Sequence, residues 1–281
     1  MKILLVGGRS AVAQALQPSL ADLGKISTAG REKCDVHLDI TWPLRKVEIP
    51  KGTDVVINTA TSFYKTGGAG LCSNIEVNVL GVAKLCTTAI EAGVQHFVNI
   101  SSINATLPKD SEYFDAYALT KKQGDAVVEL LCRSASVPFT VLRPSQLYGH
   151  PNLRKKQVFL YSAIEQALSE RDIVIYGKRA PLRNYLHVDD LSKMIRAVVE
   201  KRPLGIFQCN HPQDSSFKDL ADAAINAAKS KSRIVFDVRQ GDIPDNIFPY
   251  EDILYRKLGL TPSITIQDGI KSLVMSRKEM S

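Results

Sequence analysis

A chain of 281 residues, 44% hydrophobic and 23% charged, is ordinary for a protein that buries one core, and it is long enough for a doubly wound sheet with an appendage. Its 36 basic and 29 acidic residues leave a net charge of +7, but no run of five like charges and no aromatic–basic interleaving occurs, so the charge reads first as a solvated surface and next as a sign of an anionic small ligand, rather than of nucleic acid. The five cysteines are scattered, odd in number and without a C-x-x-C pair, which argues against a disulfide framework or a metal site and points to a reducing, cytoplasmic setting.

The first apolar run, residues 2–6, predicts a buried strand; it is too short before Gly7 for a signal peptide or a membrane span. Helical spacing over 12–23 follows, then a strand over 25–29 that ends at Gly30-Arg31, and a third strand over 54–58. A long helix is predicted over 74–92 and a strand over 97–100 ending at Ser101-Ser102. Next come a helix over 117–134 and a strand over 139–142 running into Arg143-Pro144. Unbroken apolar runs alternating with amphipathic segments are the signature of a parallel sheet covered by helices. Past Tyr148 the rhythm changes at the turn-rich Gly149-His150-Pro151-Asn152. Helices over 157–168, 189–199 and 217–228, strands over 173–176 and 206–209, and an amphipathic tail over 253–280 complete the chain. The expected architecture is α/β: a doubly wound parallel sheet over residues 1–148 and a smaller lobe over 149–281, with 186–210 returning to the sheet.

Two local patterns carry chemistry. Between the first strand and the first helix, Gly7, Ser10 and Ala13 are all small, a spacing that lets backbone N–H groups and a helix dipole meet a dinucleotide's pyrophosphate. Gly7, Arg9, Ser10, Ala11 and Val12 are the candidate cofactor contacts of that turn. Arg31 ends the second strand where an NAD-selective site carries an acid for the ribose 2′-hydroxyl, so NADP is the expected cofactor and NAD the alternative. In the second pattern Tyr117 and Lys121 lie four apart and share one helical face. A free phenol ionises at about pH 10. An ammonium one turn away is expected to lower that value, so that Tyr117 exchanges a proton with a substrate oxygen. Ser102, at the carboxyl end of the preceding strand, would hydrogen-bond the same oxygen.

Other stretches point the same way: 54–60 (D-V-V-I-N-T-A), Asn78-Val79-Leu80-Gly81, Leu142-Arg143-Pro144 with Tyr148-Gly149, 183–191 (R-N-Y-L-H-V-D-D-L) and Leu258-Gly259. With them the sequence resembles the extended short-chain dehydrogenase/reductase family, the NAD(P)-dependent nucleotide-sugar epimerases, dehydratases and reductases. The resemblance implies a Rossmann sheet with a C-terminal substrate-binding lobe. It makes Ser102 and Tyr117 catalytic and has Lys121 also hold the nicotinamide ribose. Asp39 and Ile40 would lie beside the adenine, Thr59 and Ala60 at the far phosphate and ribose. Asn78 and Pro144 would complete the cofactor site, Pro144 on the nicotinamide rim. Ser102, Gln146 and Arg183 would meet the substrate, a nucleotide sugar whose diphosphate Arg183 grips, with Lys178, Arg179 and the basic knot at 154–156 nearby. Asp189 and Asp190 read as a helix start and His187 as a packed histidine. A homodimer through the two long sheet-flanking helices is a further implication.

Departures from the family pattern narrow the reaction. Ile103 and Asn104 stand where 4,6-dehydratases carry two acids, which disfavours dehydration. Tyr117 follows Ser102 by only 15 positions, and the usual V-Y-G after the serines is absent, so the substrate mouth is reshaped. The expected activity is NADPH-dependent reduction of a 4-keto-6-deoxy sugar nucleotide. A 4-epimerase with bound NAD is the first alternative and a dinucleotide-binding regulator without turnover the second.

Overall fold

The structure, a computed structural model, describes residues 1–64 and 67–279. Seven parallel strands form the main sheet: β1 (Lys2–Val6), β2 (Lys25–Gly30), β3 (Val36–His37), β4 (Val55–Asn58), β5 (His96–Ile100), β6 (Phe139–Pro144) and the later strand Gly205–Cys209. Their spatial order is Gly205–Cys209, β6, β5, β4, β1, β2, β3. Strands β4 and β5 are buried along their whole length, which is why they read as unbroken apolar runs rather than as alternation. After β1 the chain winds outward to β2 and β3, then returns to the other side of β1 as β4, so the winding direction reverses between β1 and β4. Such a reversal leaves a crevice at the carboxyl ends of the strands, where ligands of doubly wound sheets bind. The register is matched across it: Val6 pairs with Asn58, and Asn58 with Asn99. Asn58 Nδ2 donates to Asn99 Oδ1 at 2.8 Å, tying β4 to β5 at that edge.

Helix α1 (Ala11–Leu20) follows β1, and α4 (Ala116–Ser134) lies between β5 and β6. Between them the helix predicted over 74–92 starts earlier and is not uniform. It comprises α2 (Gly68–Ile75), a π-helical turn (Glu76–Gly81) and α3 (Val82–Glu91). Two glycines make room for the widened turn. A Cβ on Gly124 of α4 would come within 2.3 Å of the Asn78 carbonyl oxygen, and one on Gly81 within 2.9 Å of Ile40. The core under these helices is built from Leu4, Val56, Phe97 and Val141 of the sheet with Leu85, Cys86, Val128 and Cys132 of the helices.

The chain divides into two units. The first holds Met1–Pro144, Leu191–Cys209 and Glu251–Leu260; the second holds Ser145–Asp190, Asn210–Tyr250 and the residues from Thr261 on. Residues 251–260, assigned by sequence to the later lobe, belong to the first unit. Their short helix Ile253–Leu258 ends at Gly259 in the left-handed region, and Lys201 Nζ donates to the Leu258 carbonyl at 2.6 Å. The second unit packs the helices Val158–Leu168, Phe217–Ala228 and Ile266–Glu279 around two-stranded pairings such as Gln146–Tyr148 with Tyr185–His187. Several of its strands are two or three residues long, too short for a periodic signal. His187 is packed, its ring edge-on to Tyr148 at 5.0 Å. Asp190 does more than start a helix: its carboxylate accepts from the Ser263 and Ile264 amides at 2.9 and 2.8 Å and pins that loop. Among the described residues no helix is long and apolar enough to cross a membrane, and no acidic, histidine or cysteine cluster could hold a metal.

Candidate active site

The turn after β1 is shaped for a close-approaching ligand. Gly7 has φ +78°, and a Cβ there would meet the Ala60 amide nitrogen at 2.7 Å and Thr59 Oγ1 at 2.8 Å. The amides of Gly7 and Gly8 both donate to the Ala29 carbonyl of β2, and the Ser10 amide to the Gly7 carbonyl, so the turn is rigid without a ligand. Ser10 caps α1, its hydroxyl accepting from the Ala13 amide at 3.0 Å and meeting Thr59 Oγ1 at 2.8 Å. The amides of Ala11 and Val12 have no hydrogen-bond partner among the described residues. Those two N–H groups at a helix start, beside a glycine no larger residue could replace, fit a pyrophosphate.

A cavity of about 1090 Å³ opens along this edge. It is lined by Gly7, Arg9, Ser10, Arg31, Glu32, Asp39, Ile40, Thr59, Ala60, Thr61 and Phe63, among others. Asp39 makes a local turn, its Oδ1 accepting from the Thr41 amide at 2.9 Å and hydroxyl at 2.8 Å. Arg9 reaches Glu32 at 3.0 Å, and both side chains are exposed. Arg31 has no ion-pair partner among the described residues. Asn78 is buried; Nδ2 donates to the Ser62 carbonyl (2.9 Å) and Thr120 Oγ1 (3.2 Å), while Oδ1 accepts from the Ser62 amide (2.9 Å) and Thr61 Oγ1 (3.2 Å). A side chain with every polar atom so engaged braces the 60–64 loop against α4.

The proton-handling residues come together at the carboxyl end of β5 and the start of α4. Ser102 starts a short 3₁₀ turn, its hydroxyl accepting from the Asn104 amide at 3.2 Å. Asp115 caps α4 by accepting from the Ala118 amide at 2.8 Å, which sets Tyr117 in the first turn. The Tyr117 hydroxyl hydrogen-bonds the Ser102 and Thr61 side chains, and the Phe63 ring lies edge-on at 4.5 Å. Lys121, 4% exposed, donates to the Ile100 carbonyl at 3.1 Å and sits 5.8 Å from the centre of the Tyr117 ring. The expected lowering of the phenol's pKa is not what this arrangement produces. Burial pushes Tyr117 up to about 12, against the smaller downward pull of the Ser102 and Thr61 hydrogen bonds. Desolvation by the surrounding loop outweighs an ammonium aimed at a backbone oxygen. Pro144 ends β6 and is buried.

In the second unit, Gln146 begins the strand Gln146–Tyr148, its amide donating to the Asn184 carbonyl at 3.1 Å. Arg183 is buried; it donates to the Leu182 and Pro244 carbonyls, both at 2.7 Å, and lies 5.6 Å over the Phe217 ring. Two of the five basic residues expected to help it are paired with acids. Arg154 bridges to Glu165, and Arg179 to Asp245 at 2.6 Å.

The sequence and the fold have counterparts among known proteins. The model of the NAD dependent epimerase/dehydratase family matches residues 3–208. The chain belongs to that family. It is therefore an NAD(P)-dependent enzyme of the short-chain dehydrogenase/reductase type. Protein CapI of Staphylococcus aureus is 21% identical over 276 residues, covering 85% of this chain and 80% of CapI. The fold matches the UDP-glucuronic acid 4-epimerase of Bacillus cereus in complex with NAD (TM-score 0.78, 18% identity, 100% of this chain and 99% of that one). It also matches RMD of Pseudomonas aeruginosa complexed with NADPH (TM-score 0.80, 19% identity, all of both chains).

Two residues of this epimerase/dehydratase-family site were not foreseen from the sequence. Thr61 shares the Tyr117 hydroxyl and Phe63 covers its ring, yet both lie more than 50 positions upstream in a loop without periodicity. The only signal for them is their place just past the carboxyl end of β4, the edge on which a doubly wound sheet gathers its ligand contacts.

Proposed function

We propose that the protein reduces the keto group of a nucleotide sugar, of the 4-keto-6-deoxy type, with NADPH as reductant. A bound nicotinamide dinucleotide would supply the hydride. Gly7, Ser10, Ala11 and Val12 would hold its pyrophosphate, Asp39 and Ile40 its adenosine end, and Lys121 its nicotinamide ribose. Ser102 would orient the substrate carbonyl, and Tyr117 would give that oxygen its proton. The observations that support this reading are the buried Tyr117 beside Lys121 and the cofactor cavity walled by Arg9 and Arg31. A phenol pushed up to about 12 is a full proton donor at neutral pH, as reduction requires at its start. Arg31 and Arg9 in the cavity wall support a 2′-phosphate and hence NADPH. Buried Arg183, whose bonds to Leu182 and Pro244 are to neutral carbonyls, is offered as the grip on the sugar nucleotide's diphosphate, with Gln146 beside the sugar. The active form is proposed to be a homodimer.

One observation favours the alternative, a 4-epimerase with bound NAD. Glu32 follows Arg31 directly, lines the same cavity and holds Arg9, so an acid is available for a ribose 2′-hydroxyl. The deciding experiment follows NADPH absorbance with UDP-, dTDP- and GDP-linked 4-keto-6-deoxy sugars. Stoichiometric NADPH consumption supports the reductase. Protein that retains NAD and interconverts hydroxyl epimers without net NADPH consumption supports the epimerase.

A further inference from the structure

The catalytic face of α4 continues one turn past Lys121. Tyr117, Lys121 and Asp125 recur every four residues, so they form one stripe, and all three are buried, at 8%, 4% and 1% exposure. A carboxylate so enclosed is rare unless paired, and Asp125 is paired: Arg143 of β6 donates from Nε to Oδ2 at 2.7 Å. The pairing is incomplete. The carboxylate also faces the Ser101 hydroxyl, yet Oδ1 and Ser101 Oγ are left without a well-formed hydrogen bond. Ser101 immediately precedes Ser102, and Arg143 immediately precedes Pro144, so this ion pair underlies both the catalytic serine and the proposed nicotinamide rim.

We propose that Asp125, neutralised by Arg143, is a positioning residue that sets the charge balance around Tyr117 and Lys121. The inference rests on the reading of Tyr117 as proton donor. The charged groups that face this centre are few. On α4 they are Lys121, Asp125 and the cap Asp115; β6 contributes Arg143; the β4–α2 loop and the β5 end contribute the neutral Thr61, Phe63 and Ser102. Burial pushes the Asp125 carboxyl up, against the opposing pull of Arg143 and, more weakly, of Lys121, while Asp125 itself raises Tyr117. A bare carboxylate behind Lys121 would draw the ammonium backwards and hold the phenol too firmly protonated. A bare guanidinium would do the opposite. The pair keeps the stripe near neutrality while leaving Lys121 one positive charge to use forward.

The two halves of the pair must therefore act in opposite directions, which a merely structural salt bridge does not. Asp125→Asn is expected to lower the pH at which Tyr117 ionises by about one unit, and Arg143→Gln to raise it, from Coulomb's law at an effective dielectric of about 20. The Asp125→Asn/Arg143→Gln double variant, which removes both charges, should return close to wild type, and Asp125→Glu should rescue. Two readouts serve. The first is a tyrosinate absorbance titration of the ligand-free protein, taken as the difference from Tyr117→Phe, with circular dichroism marking the folded range; it needs no substrate. The second is the alkaline limb of the turnover profile with NADPH and a keto sugar nucleotide, which should move down for Asp125→Asn and up for Arg143→Gln. Shifts in the same direction for both single variants, or no shift in folded protein, overturn the proposal. Absence of turnover in the wild type would overturn the reductase reading alone, because the titration still reports on Asp125.

Discussion

The cations at the candidate site of the first unit differ from several arginines of the second unit. In the second unit several arginines are matched to carboxylates: Arg154 to Glu165, Arg179 to Asp245, Arg233 to Asp172 at 2.9 Å and Arg239 to Asp237 at 2.8 Å. At the candidate site Lys121 donates to a neutral carbonyl, Arg31 has no ion-pair partner among the described residues and Arg9 reaches the exposed Glu32, whereas elsewhere in the first unit Arg133, Arg143, Arg196 and Arg256 are paired with acids. The net charge of +7 thus says little about where an anion binds. What matters is where a cation lies beside unengaged backbone amides, and that place is the edge of the sheet at Gly7, Arg9 and Arg31.

Substitutions can break or sharpen this contrast. The largest effect is expected for Lys121→Met, which should cut turnover on the order of 10²–10⁴-fold, the usual range for disabling an acid–base couple, in a steady-state NADPH assay. Gly7→Val comes next: a Cβ 2.7 Å from the Ala60 amide and a positive φ together cost about 1–3 kcal/mol, read as a lower melting temperature and a weaker dinucleotide Kd by fluorescence titration. Arg31→Ala should weaken NADPH about tenfold while leaving NADH nearly unchanged, as expected for one charge-assisted hydrogen bond to phosphate. Equal losses for both cofactors would remove the 2′-phosphate argument. The smallest effect belongs to the second unit. Arg154→Gln breaks a surface bridge worth about 0–1 kcal/mol and should leave both KM values within twofold. A large rise in the sugar-nucleotide KM for that variant would show that the contrast between the units is drawn wrongly.

The sequence carried the sheet well, for a physical reason. Buried parallel strands are short apolar runs, and β1, β4, β5 and β6 are of that kind, so their places could be read to within a residue or two. Ser102, Tyr117 and Lys121 were legible as a group because strand ends and i, i+4 spacing fix them locally. The sign of the Tyr117 shift was not legible. It depends on how deeply the fold buries the hydroxyl, and no spacing records how completely a group is desolvated. The bracing role of Asn78 was hidden for a similar reason: its π-helical turn packs closely against Gly124, and that packing cannot be read from spacing. Asp125 followed the same four-residue spacing as its neighbours and could have been found; only its partner Arg143 required the fold.

The account stands on one proton, the phenolic proton of Tyr117. A single-turnover experiment with the wild type and Tyr117→Phe, NADPH pre-bound and a keto sugar nucleotide added, reads it directly through the loss of nicotinamide absorbance. Phenylalanine should bind NADPH as well as tyrosine does and slow the absorbance loss by about 10²–10⁴-fold, the range expected when a general acid is removed. A Tyr117→Phe protein that oxidises NADPH within threefold of the wild-type rate would contradict it.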